Sequence, residues 1–271
     1  MKHKGVMVAC SILILTVIAI SFAQYTRVRG ATYQPQEKWH TEVLDSQTTN
    51  VSQLAFANGN VYFTSGNTLY GVSQSSGSII FKKVLSATFG HIAPVLDNGR
   101  IYVYNNGTVY AFDAGNDQSS ALWSAPSGYG LTVSNGVIYT GSTGTSNTST
   151  GEVYAYDASS GALIWRQPHN CSSATASYPI IIGDTEYLQS CYEGQNTAVS
   201  IFALNTSDGS IKWIKRGMLT PEMTPTDTFV NGFVFTDIYP KFSGEQFIAY
   251  NTTDGSVAWT KTVSSGKTPV S

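Results

Sequence analysis

A chain of 271 residues has room for one large domain or two small ones, and 42% apolar content is enough to fill a core, which excludes intrinsic disorder. Only 12% of residues are charged, 15 Lys and Arg against 17 Asp and Glu, and the net charge of -2 excludes a nucleic-acid binder that works by bulk positive charge. Twenty-five Gly, sixteen Tyr and abundant Ser and Thr, without Glu/Lys-rich amphipathic stretches, predict an all-β chain of short strands joined by tight turns.

Lys2, His3 and Lys4 precede an apolar run from Val6 to Ala23, and polarity returns at Gln24. Residues 1–26 are read as a signal peptide or a membrane anchor. The run exceeds the about 7–15 residues of a signal-peptide core and just reaches the about 18 needed to span a bilayer. Ser21-Phe22-Ala23 offers a small-x-small cleavage site, whereas Lys4-Gly5 before Val6-Met7 resembles a prepilin-type site that would leave the hydrophobic helix in place. Cys10 comes too early in the run for a lipoprotein cysteine and is read as one more apolar residue of the segment. Residues 27–38 form a linker, and residues 39–271 are expected to fold outside the cytoplasm, secreted or held at the cell membrane by the N-terminal segment. Disulfides persist there, and Asn-x-Ser/Thr sequons at Asn50, Asn106, Asn147, Asn170, Asn205 and Asn251 become glycosylation candidates.

The remainder repeats. Tyr70 to Phe81, Tyr154 to Trp165, Phe202 to Trp213 and Ile248 to Trp259 are copies of one unit, and Tyr110 to Trp123 is a fifth with two extra residues in its turn. The closing aromatics Trp39, Phe81, Trp123, Trp165, Trp213 and Trp259 follow at intervals of 42, 42, 42, 48 and 46 residues. In each copy an alternating strand ends at Ser73, Asp113, Asp157, Asn205 or Asn251, whose side chain can cap its own turn. In the four regular copies a Gly four residues later accepts positive φ, and the chain reverses into a strand that carries the aromatic. Upstream lie a turn such as Asn58-Gly59 or Asn135-Gly136 and, before it, one more short strand. Four strands per 42 to 48 residues predict the blades of a β-propeller. An orphan strand around Trp39–Val43 either pairs with the last blade and closes the ring, or the ring stays open for a partner to complete.

The pattern Tyr-Ala-x-Asp-Ala-x-x-Gly-x-x-x-Trp, kept in full from Tyr154 to Trp165, resembles the blade motif of the pyrroloquinoline-quinone-dependent alcohol dehydrogenase-like propellers, and the resemblance covers residues 39 to 263. It implies that each Trp packs one blade against its neighbour. Relatives usually carry seven or eight blades, against five here. Some oxidise alcohols or sugars with the quinone and Ca²⁺, an Asp base and a disulfide between adjacent cysteines. Others are non-catalytic, including the propeller lipoprotein of outer-membrane β-barrel assembly, which offers its loops to partner proteins.

The sequence has no adjacent Cys pair and no counterpart for the calcium ligands or the base. His3, His40, His91 and His169 lack metal-ligand spacing. The Asp-Gly pairs at Asp208 and Asp254 lack the alternating ligands of a calcium loop. We therefore expect no catalytic residue, metal or cofactor. Long connections between second and third strands, Gly141 to Glu152, Ser190 to Thr197 and Asp237 to Gln246, gather on one face, where scaffolds place binding. Candidate contacts on that face are His91, Tyr129, His169, Tyr178, Tyr192, Glu193, Asp227 and Tyr239, with Phe89, Glu222 and Lys241 beside them. Asp227 takes an inner-strand position held elsewhere by Leu54, Pro94, Leu131 and Pro179. Cys171 and Cys191 fall on the same face and are expected to form a disulfide that pins a loop pair. The expected function is a non-catalytic module that binds or scaffolds other surface or membrane proteins. The alternatives are a quinone-dependent alcohol or sugar dehydrogenase, or a degenerate ligand-binding relative, and a structural surface subunit that assembles with copies of itself through its N-terminal helix or strand.

Overall fold

The computed structural model describes residues 37–43, 51–90, 92–118, 120–141, 151–169, 178–190, 198–219, 228–238 and 245–263. Within them five four-stranded antiparallel sheets follow one another, each pairing its strands in chain order. The first blade is β1 (Ala55–Ala57), β2 (Asn60–Ser65), β3 (Thr68–Ser73) and β4 (Ile79–Val84); the second is β5 (Val95–Asp97), β6 (Arg100–Asn105), β7 (Thr108–Asp113) and β8 (Trp123–Pro126). The third is β9 (Leu131–Ser134), β10 (Val137–Thr140), β11 (Gly151–Asp157) and β12 (Leu163–His169). The fourth is β13 (Ile180–Ile182), β14 (Thr185–Ser190), β15 (Ala198–Asn205) and β16 (Ile211–Leu219), and the fifth is β17 (Thr228–Val230), β18 (Phe233–Ile238), β19 (Glu245–Asn251) and β20 (Val257–Val263). The all-β propeller expectation is met. The N-terminal hydrophobic segment lies outside the described residues.

Turn chemistry sets the register. Asn58 and Gly59 both take positive φ, 50° and 75°, the two-residue reversal whose twist matches a hairpin. The Asn-Gly pairs at 98, 135 and 231 repeat it. The turn between third and fourth strands is built by the capping residue: the Asp157 carboxylate accepts from the Ser159 and Ser160 amides at 3.0 and 2.8 Å, while the Gly161 amide donates to the Asp157 carbonyl at 2.8 Å.

Across each blade runs one row of three residues. Ala155 stands between Tyr139 on β10 and Trp165 on β12; Ala111 separates Tyr102 from Trp123, and Ala203 separates Tyr187 from Trp213. The small middle residue lets the rings meet over it, with centroids 5.7 to 6.2 Å apart. In the first blade the middle residue is Gly71, where an added Cβ would lie 2.7 Å from the Tyr62 ring and 2.8 Å from Phe81.

The same row locks the seams between blades. The Trp123 indole and the Tyr102 hydroxyl both donate to the Ala158 carbonyl in the next blade's turn, at 3.1 and 2.9 Å. Trp213 and Tyr187 likewise share the Thr252 carbonyl at 3.0 and 3.1 Å, and Trp165 donates to Thr206 at 2.8 Å. Each indole lies flat on a glycine: a Cβ on Gly161, Gly209 or Gly255 would come within 2.5 to 2.7 Å of ring carbons. The seam between the first two blades departs from this. Phe81 has no N–H to donate, the facing turn after Asp113 is two residues longer, and the Lys83 ammonium reaches the Asp117 carbonyl instead, at 2.6 Å.

Residues 37–43 form no strand. They lie against the first blade: the Trp39 indole donates to the Gln74 carbonyl at 2.8 Å and covers Gly77, while Thr41 donates to the Gly77 carbonyl. Trp39 thus fills on the first blade the slot that Trp123, Trp165 and Trp213 fill on the third, fourth and fifth. The expected orphan strand is a docked segment, and it occupies the place a closing fifth blade would need.

Candidate partner-binding face

The connections leading into the second and third blades run beside hairpins between second and third strands. The Phe89 amide donates to the Gly66 carbonyl at 2.7 Å, Ser127 to Gly107 at 2.9 Å, and Gly141 to Gly130 at 2.8 Å. The Asn105 side chain ties its hairpin to the Ala87 carbonyl at 2.9 Å. These bonds bring the two classes of loop to one face in the first three blades; most of the long connections, residues 142–150, 191–197 and 239–244, lie outside the described residues.

On that face, at the inner strands, stand three half-buried tyrosines from three blades. Tyr104 on β6 meets Tyr129, which precedes β9, edge to face with centroids 5.3 Å apart. The Tyr129 hydroxyl approaches Gly90 so closely that a Cβ there would lie 2.8 Å away. The Tyr178 hydroxyl, ahead of β13, lies within electrostatic reach of Tyr129 and of the Ala93 backbone ahead of β5. Burial first, and the neighbouring phenol second, push the Tyr129 and Tyr178 hydroxyls above their ordinary range, so both stay neutral donors. The backbone explains the convergence, because β1, β5, β9 and β13 adjoin in sequence around the inside of the blades.

Of the sequence candidates, then, Tyr129 and Tyr178 come together. Phe89 does not belong with them; its amide bond to Gly66 draws it into the core of the first seam, against Tyr62 and Phe112. His169 ends β12, opposite Gly151. His91, Tyr192, Glu193, Asp227 and Tyr239, together with Cys171 and Cys191, lie outside the described residues. Of the sequons, Asn106 sits exposed at positive φ in the β6–β7 turn, and Asn205 and Asn251 open the turns after β15 and β19. Asn50, Asn147 and Asn170 lie outside the described residues.

Tyr104 escaped the sequence reading. It occupies a register position held by Thr64, Gly141, Gln189 and Asp237 in the other blades, so the departure was visible in the repeat alignment. Among the described residues, the polar groups named on this face are phenols, the Asn105 amide and backbone groups. No group of three His, Cys, Asp or Glu side chains gathers among the described residues.

Five meander blades, with a Trp of one blade bonded to a turn carbonyl of the next at three of the seams, define a pyrroloquinoline-quinone-like repeat β-propeller. The chain belongs to the family described as outer membrane protein assembly factor BamB, whose model matches residues 31–116 and 105–271. No curated protein matches the sequence. Among solved structures the chain is similar to BamB from Moraxella catarrhalis, at 14% identity and a TM-score of 0.55, over 75% of this chain and 58% of that one. It is also similar to a quinohemoprotein alcohol dehydrogenase from Pseudomonas putida, at 16% identity and a TM-score of 0.60, over 81% of this chain and 43% of that one. A europium-containing methanol dehydrogenase matches at 14% identity and a TM-score of 0.56, over 79% and 52%. The chain thus spans less than two thirds of the length of each, and the likeness is one of fold.

Proposed function

We propose that this protein is an exported, non-catalytic propeller that holds another protein of the cell envelope on its loop face. The observation that carries the reading is the cluster of Tyr104, Tyr129 and Tyr178, gathered from three blades. Tyrosine combines a large apolar ring with a hydroxyl and loses little rotamer freedom on binding, which is why it dominates protein interfaces. The family's description as an assembly factor supports a protein partner. Residues 1–26 are the export or anchoring segment in this reading, residues 27–38 its linker, and residues 39–271 the working domain. The Cys171–Cys191 disulfide and the glycosylation of the sequons follow from export.

The test compares capture from a detergent-solubilised envelope fraction by the full chain and by a Tyr104→Ala, Tyr129→Ala, Tyr178→Ala variant of equal folded content. We expect one partner to be retained in stoichiometric amount by the wild type and its affinity to fall more than about tenfold in the variant, since a single interface hot spot contributes about 2 kcal/mol. Equal retention by both removes the tyrosine face from the account. A stoichiometric quinone released on denaturing protein from its native source would replace the binding reading with a dehydrogenase.

A further inference from the structure

The seam between the third and fourth blades holds a carboxyl group that the fold does not pair. Glu186 on β14 is 0% exposed, and neither carboxylate oxygen has a hydrogen-bond partner. In the repeat register it stands just before the recurring ring of the second strand, where the other blades carry Val61, Ile101, Ile138 and Val234, all of them buried and aliphatic. Its cross-strand neighbours are Ile181 and Leu204, which belong to the apolar cluster of this seam with Leu188, Phe202 and Trp165. Across the seam β10 presents Val137 and Tyr139. Among the described residues facing it, Tyr139 is the titratable one, and burial first and Glu186 second hold that phenol above its ordinary range, so it brings no compensating charge. No cation faces Glu186 from these elements, for Lys212 is engaged with Asp184 and Thr185 on the other side of the strand.

A buried carboxyl with no partner tolerates the proton far better than the charge, because moving an unpaired carboxylate out of water is very costly. An aliphatic residue at this position would give a seam indifferent to pH, and the chain uses one in every other blade. We propose that Glu186 makes the joint between the third and fourth blades a pH-sensitive one, tight while its carboxyl carries a proton and loosened once the carboxyl ionises. The joint lies behind the proposed binding face, since Thr132 of the third blade donates to the Pro179 carbonyl beside Tyr178 at its inner end. The inference itself does not depend on that face being used.

The sign follows from linkage. Burial raises the folded-state value of Glu186 well above its ordinary 4.5. Its contribution is therefore most favourable below the unfolded value and is lost as pH rises from about 4.5 toward the folded one. The experiment is denaturant unfolding of the full chain between pH 4.5 and 9 for the wild type, Glu186→Gln and Glu186→Val. We expect the wild-type unfolding constant to rise against that of Glu186→Gln by up to about tenfold per pH unit across this window, then to run parallel. A protonated-carboxyl infrared band in the folded wild type, absent from Glu186→Gln, is expected even if Glu186→Val folds poorly. Hydrogen exchange above the transition should be faster in β10 and β14 of the wild type than of Glu186→Gln, with β19 and β20 unchanged. Parallel profiles over the whole range would overturn the proposal. So would the absence of the infrared band at acidic and neutral pH, or an exchange difference spread evenly over all five blades.

Discussion

Trp165 and Trp259 stand at the same place in the same repeat, yet they live in different environments. Each lies opposite an alanine and beside the ring of its own second strand, Tyr139 in one case and Phe235 in the other, at 6.2 and 5.7 Å. Trp165 is 6% exposed and Trp213 8%, whereas Trp259 is 45% exposed. The blade alone cannot bury its own tryptophan. The burial comes from the glycine and the turn carbonyl of the following blade, so stability resides in the seams as it does in repeat proteins with nearest-neighbour coupling. The first blade makes the same point from the opposite edge. No blade precedes it among the described residues, and the segment carrying Trp39 supplies the missing half of the seam.

The largest effects should appear where that seam is complete. Trp165→Ala should cost about 3–5 kcal/mol in urea denaturation, the usual range for removing a buried large aromatic. Gly209→Ala should cost about 3 kcal/mol, because its Cβ would lie 2.5 Å from Trp165 while its φ of 72° disfavours any side chain. The pair should be strongly non-additive: with the indole gone the steric part vanishes, and Gly209→Ala on the Trp165→Ala background should cost only the about 1–2 kcal/mol of backbone strain. Gly136→Ala is the matching control, with a φ of 73° and nothing within 4 Å of its Cβ. Additive behaviour of the first pair would refute the seam account.

At the edges the expectations part. Trp39→Ala removes one indole hydrogen bond and the cover over Gly77, and should cost about 2 kcal/mol, read most clearly as faster amide exchange at Phe63, Tyr70 and Val72. Trp259→Ala loses, among the described residues, the ring contact with Phe235 and its place over Ala249, and should cost about 1 kcal/mol or less. If Trp259→Ala were as damaging as Trp165→Ala, something would already cover the fifth blade in solution, and the contrast between seam and edge would fall.

The fold was legible because its signals are local and repeated. Asn-Gly pairs, capping Asp or Asn residues and an aromatic every 42 to 48 residues each report on a few neighbouring residues, and five copies average out the exceptions. The reason behind the Tyr-Ala-x-Asp pattern was not legible, since the alanine is small for the sake of two rings on flanking strands. Glu186 was hidden for the same reason. Thr185-Glu186-Tyr187 reads as an ordinary strand leaving a turn, and only the packing of the third blade against it removes the carboxyl from water. The site was half legible. Strand topology brought Tyr129 and Tyr178 into the inner ends of the blades, while Phe89, reached by the same reasoning, was pulled inward by a backbone hydrogen bond that no side-chain pattern announces.

The smallest effect separates turn from seam through acid. Asp157 in the exposed turn accepts hydrogen bonds from the hydroxyls and amides of Ser159 and Ser160, and these hold its carboxyl down at about 2. Its sign is opposite to that of Glu186: the stabilisation is present above the ordinary aspartate value of 3.8 and is lost as pH falls through about 2. Because the carboxylate lies at the surface, water competes for the same hydrogen bonds, and the signature belongs in the titration more than in the unfolding free energy. Carboxyl NMR should show Asp157 titrating below an unstructured aspartate, and Ser160→Ala should move it back upward while leaving the Trp123 indole bonded to Ala158. If Ser160→Ala also exposed Trp123, the turn and the seam would be one cooperative unit, and the division between them drawn from Trp165 and Trp259 would have to be redrawn at the level of the whole blade.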